Sequence, residues 1–195
     1  MSMEKWRAMF AQNSDLYDPT AMGQDLKYGH IKGFPPGSLF EKRKELQKNA
    51  VHNQSVAGIS GSPQTGTCSI VISGGYEDDL DAGDVLEYTG TGGQDDSYSN
   101  PGPQTSDQSW EHPHNGSLLR SFETKRPVRV IRGTNSKSPY APLSGYRYDG
   151  LYIVTKAYMA KGKSGYKVCK VKLERMSGQP PLINASSQDI SEEVE

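Results

Sequence analysis

The stretch "SGGYEDDLDAGDVLEYTGTGG", residues 73–93, carries six acidic residues, two tyrosines and six glycines. Aromatic rings stack on flat ligands, a carboxylate accepts hydrogen bonds from an amine, and glycines let backbone N–H and C=O groups come close to a bound molecule. The stretch therefore has the residue types for gripping a planar, amine-bearing ring. Taken alone, two tyrosines are more often core packing.

Other chemistry can be weighed the same way. Zinc deaminases need H-x-E with P-C-x-x-C, and the chain has neither pattern. His112-Pro-His114 offers two imidazoles on a loop with no third ligand in view, which favours solvated side chains over a metal site. Glu123-Thr-Lys125 fits the short E-x-K pattern of metal-dependent nucleases, a pattern common by chance. Cys68 and Cys169 stand about 100 residues apart without a C-x-x-C, so two buried thiols are expected.

The elements that must position these residues come next. The chain has 195 residues, enough for one domain with a core. It shows neither a run of ~20 apolar residues nor the apolar region of a secretory signal. Its net charge of −1 hides an asymmetry: residues 49–119 hold no Lys or Arg and ten acids, whereas residues 120–175 hold fourteen bases and three acids. Such a basic block either faces phosphate or folds against the acidic one.

"GFPPGSLFEKRKELQKNAVH" reads as a turn and a helix from about Leu39 to Lys48, with Ser38 and Glu41 as a capping box. Strands are expected in "TCSIVISGGY", "DVLEYTG", "RPVRVIRG", "GLYIVTKAY" (150–158) and "YKVCKVKLE" (166–174), the last two joined at "GKSG" (162–165). Residues 91–116 read as a long loop. Short strands with no βαβ rhythm predict a mainly β, α+β fold, a small barrel or rolled sheet. Residues 1–28 read as an N-terminal arm, 29–175 as the domain, and 176–195 as an acidic tail, disordered beyond about Ile183.

"GHIKGFPPG", "VHNQSVAGISG", the 73–93 stretch, "SDQ", "KRPVRVIRG" and "YAPLSGYRYDGLYIV" occur in an order that resembles the SRA (SET- and RING-associated, or YDG) domain, whose name-giving triplet matches Tyr148-Asp149-Gly150. The resemblance spans roughly His30 to Glu174. It implies a curved β-barrel of SRA/PUA-like type that binds methylated DNA and flips out 5-methylcytosine, in the nucleus, beside chromatin. It further implies that Tyr76 and Tyr88 sandwich the base, that Asp79 reads its exocyclic amine, and that Gly75 and Thr89 line the pocket. Val56, with Gly58 behind it, matches the loop that fills the gap in the duplex. Tyr148 and Asp149 are expected to organise the barrel. Arg129, Arg132 and the lysines of 156–172 are candidates for phosphate contact.

The expected function is a stand-alone, non-enzymatic reader of 5-methylcytosine or 5-hydroxymethylcytosine in double-stranded DNA with methylated CpG sites, needing no cofactor or metal and no membrane. The alternatives are a modification-dependent endonuclease using Glu123 and Lys125, or a barrel kept for protein contacts. Where the family inspects the opposite strand with a basic loop, "GGQDDSYSNPGPQTSDQ" (92–108) has no Lys or Arg. Little discrimination between hemimethylated and fully methylated CpG is therefore expected.

Overall fold

A computed structural model of the chain describes residues 28–94 and 102–184. Its strands are β1 (Leu39–Phe40), β2 (Ile59–Ser62), β3 (Gly66–Ile72), β4 (Leu80–Asp81), β5 (Val85–Thr89), β6 (Val128–Gly133), β7 (Tyr146–Lys161) and β8 (Lys167–Arg175). Two helices, α1 (Arg43–Lys48) and α2 (Pro113–Thr124), pack on them. The mainly β class is as expected. All eight strands form one sheet in the order β2-β3-β6-β7-β8-β5-β4, with β1 paired to β7. Among the described residues no ladder joins β2 to β4, so the sheet is open rather than a closed barrel.

Two differences from the expected elements have local causes. Leu39 and Phe40 do not begin a helix, because they pair with Arg147 and Tyr146 of β7. The Ser38 hydroxyl is used in the preceding turn, where it donates to the Pro35 carbonyl at 2.6 Å. The helix starts at Arg43 instead, and Glu45 accepts the Glu41 N–H at 3.0 Å. The second difference is α2, which occupies the end of the expected loop. His112 caps it, accepting the His114 N–H on Nδ1 at 3.2 Å, and Pro113 stands in its first turn, where a missing N–H costs nothing. That is the role the structure gives the two histidines.

The crossover through α2 makes β3 and β6 parallel, the one parallel pairing among the described ladders. Two buried clusters form the core. One gathers Ile70, Leu86, Tyr88, Leu118, Val130, Tyr152 and Val171, with Phe122 packed against it. The other joins Leu46 of α1 to Phe40, Val71, Ile131 and Tyr148. Both cysteines are free and buried. Residues beyond β8 stay on the domain: Gln179 donates to and accepts from the backbone of Leu151, and Arg147 donates to the Ile183 carbonyl. The expected arm (except Tyr28) and the far tail lie outside the described residues.

Candidate nucleic-acid interface

Residues 73–79 connect β3 to β4, and this stretch is pinned on two sides. On one side, Asp78 accepts the Lys163 N–H of the β7–β8 turn at 2.9 Å, and the Lys163 ammonium donates to the Glu77 carbonyl. On the other, Asp81 takes two bonds from Arg132, each 2.8 Å, and accepts the Gly83 N–H at 2.9 Å. Between these anchors Asp79 turns toward β5, where its Oδ1 accepts the Thr89 N–H at 2.8 Å. Burial raises the Asp79 carboxyl to about 6, against the pull of the Thr89 hydrogen bonds and the Lys170 charge. Thr89 is fully buried and lies opposite Lys170 in the β5–β8 ladder.

Tyr88 lies on the other face of β5, buried, with its hydroxyl donating to the Val71 carbonyl at 3.3 Å. Burial, and then the neighbouring Asp79 and Tyr76, push its phenol well above 10, so it stays neutral. Tyr76 is half-buried and donates to the Thr91 hydroxyl at 3.0 Å. Thr91 is in turn held on both backbone groups by Asn115 of α2, at 2.8 and 2.9 Å. The helix missed in the sequence thus positions one of the two rings. Gly75 is exposed, and a Cβ there would meet nothing within 4 Å, which leaves its backbone open to a ligand.

Val56 sits 64% exposed on the loop between α1 and β2. That loop is braced from beneath. Arg43 donates to the Val56 and Ala57 carbonyls at 2.8 and 2.6 Å. His52 Nε2 lies 2.9 Å from the same Ala57 carbonyl and so must carry the proton; Nδ1 then accepts from the Ser69 hydroxyl at 2.8 Å. Burial lowers the His52 imidazole to about 3, which keeps it neutral. Gly58 is tied to the ring pocket: a Cβ there would stand 2.7 Å from the Tyr88 hydroxyl. The structure therefore brings Tyr76, Asp79, Tyr88, Thr89 and Gly58 together, with Val56 on an adjoining loop.

Two expected residues are corrected. Arg129 and Arg132 are both 0% exposed. Arg129 donates to the carbonyls of Val51 and Gly29, at 3.0 and 2.8 Å. Arg132 is shared among Asp81, Asp149, Tyr152 and the Gly83 carbonyl. Alternation hid this, because a strand buried on both faces leaves an arginine nowhere to go but inward. Neither side chain reaches phosphate here. Exposed lysines at 156, 161, 163 and 167 remain on the strand pair β7–β8.

Tyr148 and Asp149 of the triplet are likewise interior: the Tyr148 hydroxyl meets His30 Nδ1 at 2.7 Å, and Asp149 bonds Arg132 and Arg147. Gly150 follows at φ +107°, where a Cβ would collide with Gln179. Glu123 and Lys125 do not converge: Glu123 pairs with Arg120 at 2.9 Å, while Lys125 folds over the Phe122 ring and donates to the Val154 carbonyl. Among the described residues no group of three or more His, Cys, Asp or Glu could hold a metal. The stem of the 92–108 loop is closed by a Gln94–Gln104 bridge, but Asp95, Asp96 and Asn100-Pro101 lie outside the described residues. Sequence reasoning missed Arg43, His52, Asn115 and Lys170 as supports of the site.

Known proteins match this arrangement over most of its length. The SAD/SRA domain model matches residues 27–179. The chain is 50% identical over 163 residues to the UHRF1-like protein of Cryptococcus neoformans, covering 80% of this chain and 48% of that one. It is 39% identical over 173 residues to the E3 ubiquitin-protein ligase UHRF1 of Xenopus tropicalis, covering 78% of this chain and 22% of the relative. The chain thus spans about half, or about a fifth, of the curated relatives it matches. Among solved structures, the SUVH5 SRA bound to fully hydroxymethylated CG DNA superposes with TM-score 0.67 at 38% identity, over 80% of this chain and 98% of that one. The modification-dependent TagI restriction endonuclease superposes with TM-score 0.73 at 43% identity, over 77% of this chain and 52% of that one. The chain belongs to the SAD/SRA domain family.

Proposed function

We propose that this domain reads modified cytosine in double-stranded DNA by extruding the base into the space between Tyr76 and Tyr88. The observation that carries this reading is the Asp79 carboxylate, held by the Thr89 N–H and near Tyr88, in a family with solved complexes on modified CG DNA. The ionised carboxylate is acceptor-only, so it suits the exocyclic amine of cytosine and disfavours the O4 acceptor of thymine. The Gly75 and Thr89 backbones supply further contacts to the base edge.

The energetics are balanced. Extrusion costs a few kcal/mol in lost stacking and pairing. Stacking on aromatic rings returns about 1–3 kcal/mol, and a hydrogen bond to a charged group adds about 1.5–3 kcal/mol. Val56, presented on a loop braced by Arg43, fills the vacated position in the duplex. The exposed lysines of β7–β8 supply phosphate contacts and with them a salt-dependent share of the affinity. We take the domain to act as a binding module in chromatin, in the nucleus, with any enzymatic activity residing in other modules of longer relatives.

The test is a titration of duplexes that differ only in the substituent at one cytosine, at fixed salt. Tighter binding of the 5-methyl or 5-hydroxymethyl duplex supports the reading, and equal affinity across the series overturns it. A second reading is favoured by the similarity to a modification-dependent endonuclease over half of that enzyme. Against it, Glu123 and Lys125 are engaged apart from each other. Cleavage of methylated plasmid by the purified chain in Mg²⁺ would decide for the nuclease.

A further inference from the structure

We infer that Lys170 is the positioning residue of the base-reading carboxylate, holding Asp79 in place through the Asp78 carbonyl and Thr89. The inference rests on the reading of Asp79 given above. Lys170 lies on β8 directly opposite Thr89 of β5 and is only 5% exposed. Its ammonium donates to the Asp78 carbonyl and, at 3.3 Å, to Thr89 Oγ1. An ammonium has donors only, so Thr89 Oγ1 accepts from Lys170, and the single hydroxyl proton is left to point away from it. The Thr89 N–H holds Asp79 Oδ1, so the lysine grips both the residue before Asp79 and the residue that binds it.

The relay fixes three things at once. It orients the carboxylate, it ties the Asp78 carbonyl beside it to β8, and it leaves part of the acceptor capacity of Asp79 for an incoming amine. It also places a buried cation near the half-buried Asp79 carboxylate. Around the pair stand Asp78 on the same loop, Tyr88 and Glu87 on β5, and Lys163 on the β7–β8 turn. Burial pulls the Lys170 ammonium below its ordinary value, and the charges of Asp79, Glu87 and Asp78 oppose that pull. The same pairing works in reverse on Asp79: without the cation, burial would raise the carboxyl further from its place near 6.

The experiment measures the preference for 5-methylcytosine over thymine, each placed opposite an abasic site, between pH 5 and 8. In the parent protein the preference should fall as pH drops through about 6, where Asp79 gains its proton. In Lys170→Met the midpoint should move up by about one pH unit or more, so that discrimination is already weakened at pH 7. Lys170→Arg, which keeps the cation, should stay near the parent. A purely structural lysine would lower the melting temperature without moving that midpoint. If Lys170→Met does not fold, Lys170→Gln, which keeps a donor but removes the charge, should give the same upward shift. An unshifted midpoint in either folded variant overturns the inference alone. A parent protein with no preference at any pH overturns the pocket reading and this inference with it.

Discussion

Asp79 and Asp81 are two residues apart in "YEDDLD", and their surroundings drive them in opposite directions. Burial raises the Asp79 carboxyl to about 6, because its hydrogen-bond donor is the neutral Thr89 N–H and the nearby lysine acts at one remove. Burial pushes on Asp81 too, but the hydrogen bonds and charge of Arg132 outweigh it and hold that carboxyl below its usual range. Asp81 is satisfied: Arg132, Ser138 and the Gly83 N–H take up its lone pairs. Asp79 keeps acceptor capacity unspent. Asp79, lacking an arginine of its own, can still accept from a ligand, whereas Asp81, which has one, is a girder. The cost of the first arrangement is borne in stability, which sites built for ligands commonly sacrifice.

The largest effect should come from breaking the girder. Arg132→Met leaves Asp81 and Asp149 buried without their shared cation, and about 3–5 kcal/mol of stability should be lost. Urea denaturation measures it. A phosphate-contacting arginine would instead leave stability intact and weaken DNA binding, so the same variant also checks the correction made for Arg132.

Asp79→Asn should separate function from stability. Its amide oxygen can still accept the Thr89 N–H, yet no charge remains to receive the base amine. Preference for modified cytosine should drop by about tenfold or more, corresponding to ~1.5–3 kcal/mol for a charged hydrogen bond. Meanwhile the protein should become more stable at neutral pH, by about 1–2 kcal/mol, because the raised carboxyl no longer has to ionise inside the fold. Thermal melting beside a binding titration reads both.

The pH dependence sharpens the comparison further. A folded value raised from 3.8 to about 6 means that Asp79 costs stability above pH 6, and that the cost fades as pH falls toward 3.8. The melting gain of Asp79→Asn should therefore be full near pH 7.5 and absent near pH 4. His30 and His52 run the other way. Their folded values, lowered by burial to about 4 and about 3, lie below the unfolded value of 6.5, so the parent loses stability as pH drops below 6.5. A smaller effect is expected at Arg43→Lys, which keeps the charge but cannot reproduce the fork on the Val56 and Ala57 carbonyls. Affinity for a fully paired methylated duplex should fall by a few-fold, about 0.5–1.5 kcal/mol for lost hydrogen bonds. Placing the same base opposite an abasic site, where little pairing must be broken, should restore it.

Most of the strands were legible because "SIVI", "VRVI" and "LYIV" can only be buried. The grouping of Tyr76, Asp79 and Tyr88 was legible because they lie within thirteen residues of one stretch that matches the family motif. What the sequence hid was polar. Helix α2 turns Asn115, Ser117 and Ser121 inward, where Ser117 meets the Thr67 hydroxyl at 2.6 Å and Ser121 takes the Thr67 N–H at 2.8 Å. Its first turn is polar, so residues 113–116 read as the end of a loop, although Leu118 and Phe122 lie on its core side. The capping box at Ser38 misled for the opposite reason: the local signal was present, and pairing of Leu39 and Phe40 with β7 overrode it. The arginines of β6 and Lys170 of β8 looked like a phosphate-binding stripe because charge is visible in a sequence and burial is not.

The account stands most directly on one measurement: the affinities of the parent and of Asp79→Asn for duplexes carrying 5-methylcytosine or thymine opposite an abasic site, at pH 7.5 and one salt concentration. The parent should favour 5-methylcytosine by tenfold or more, since a thymine acceptor against a buried carboxylate costs at least ~1–3 kcal/mol. Asp79→Asn should bind both nearly alike. Equal affinities in the parent, or an undiminished preference in the variant, would contradict the assignment of Asp79 as the residue that reads the base.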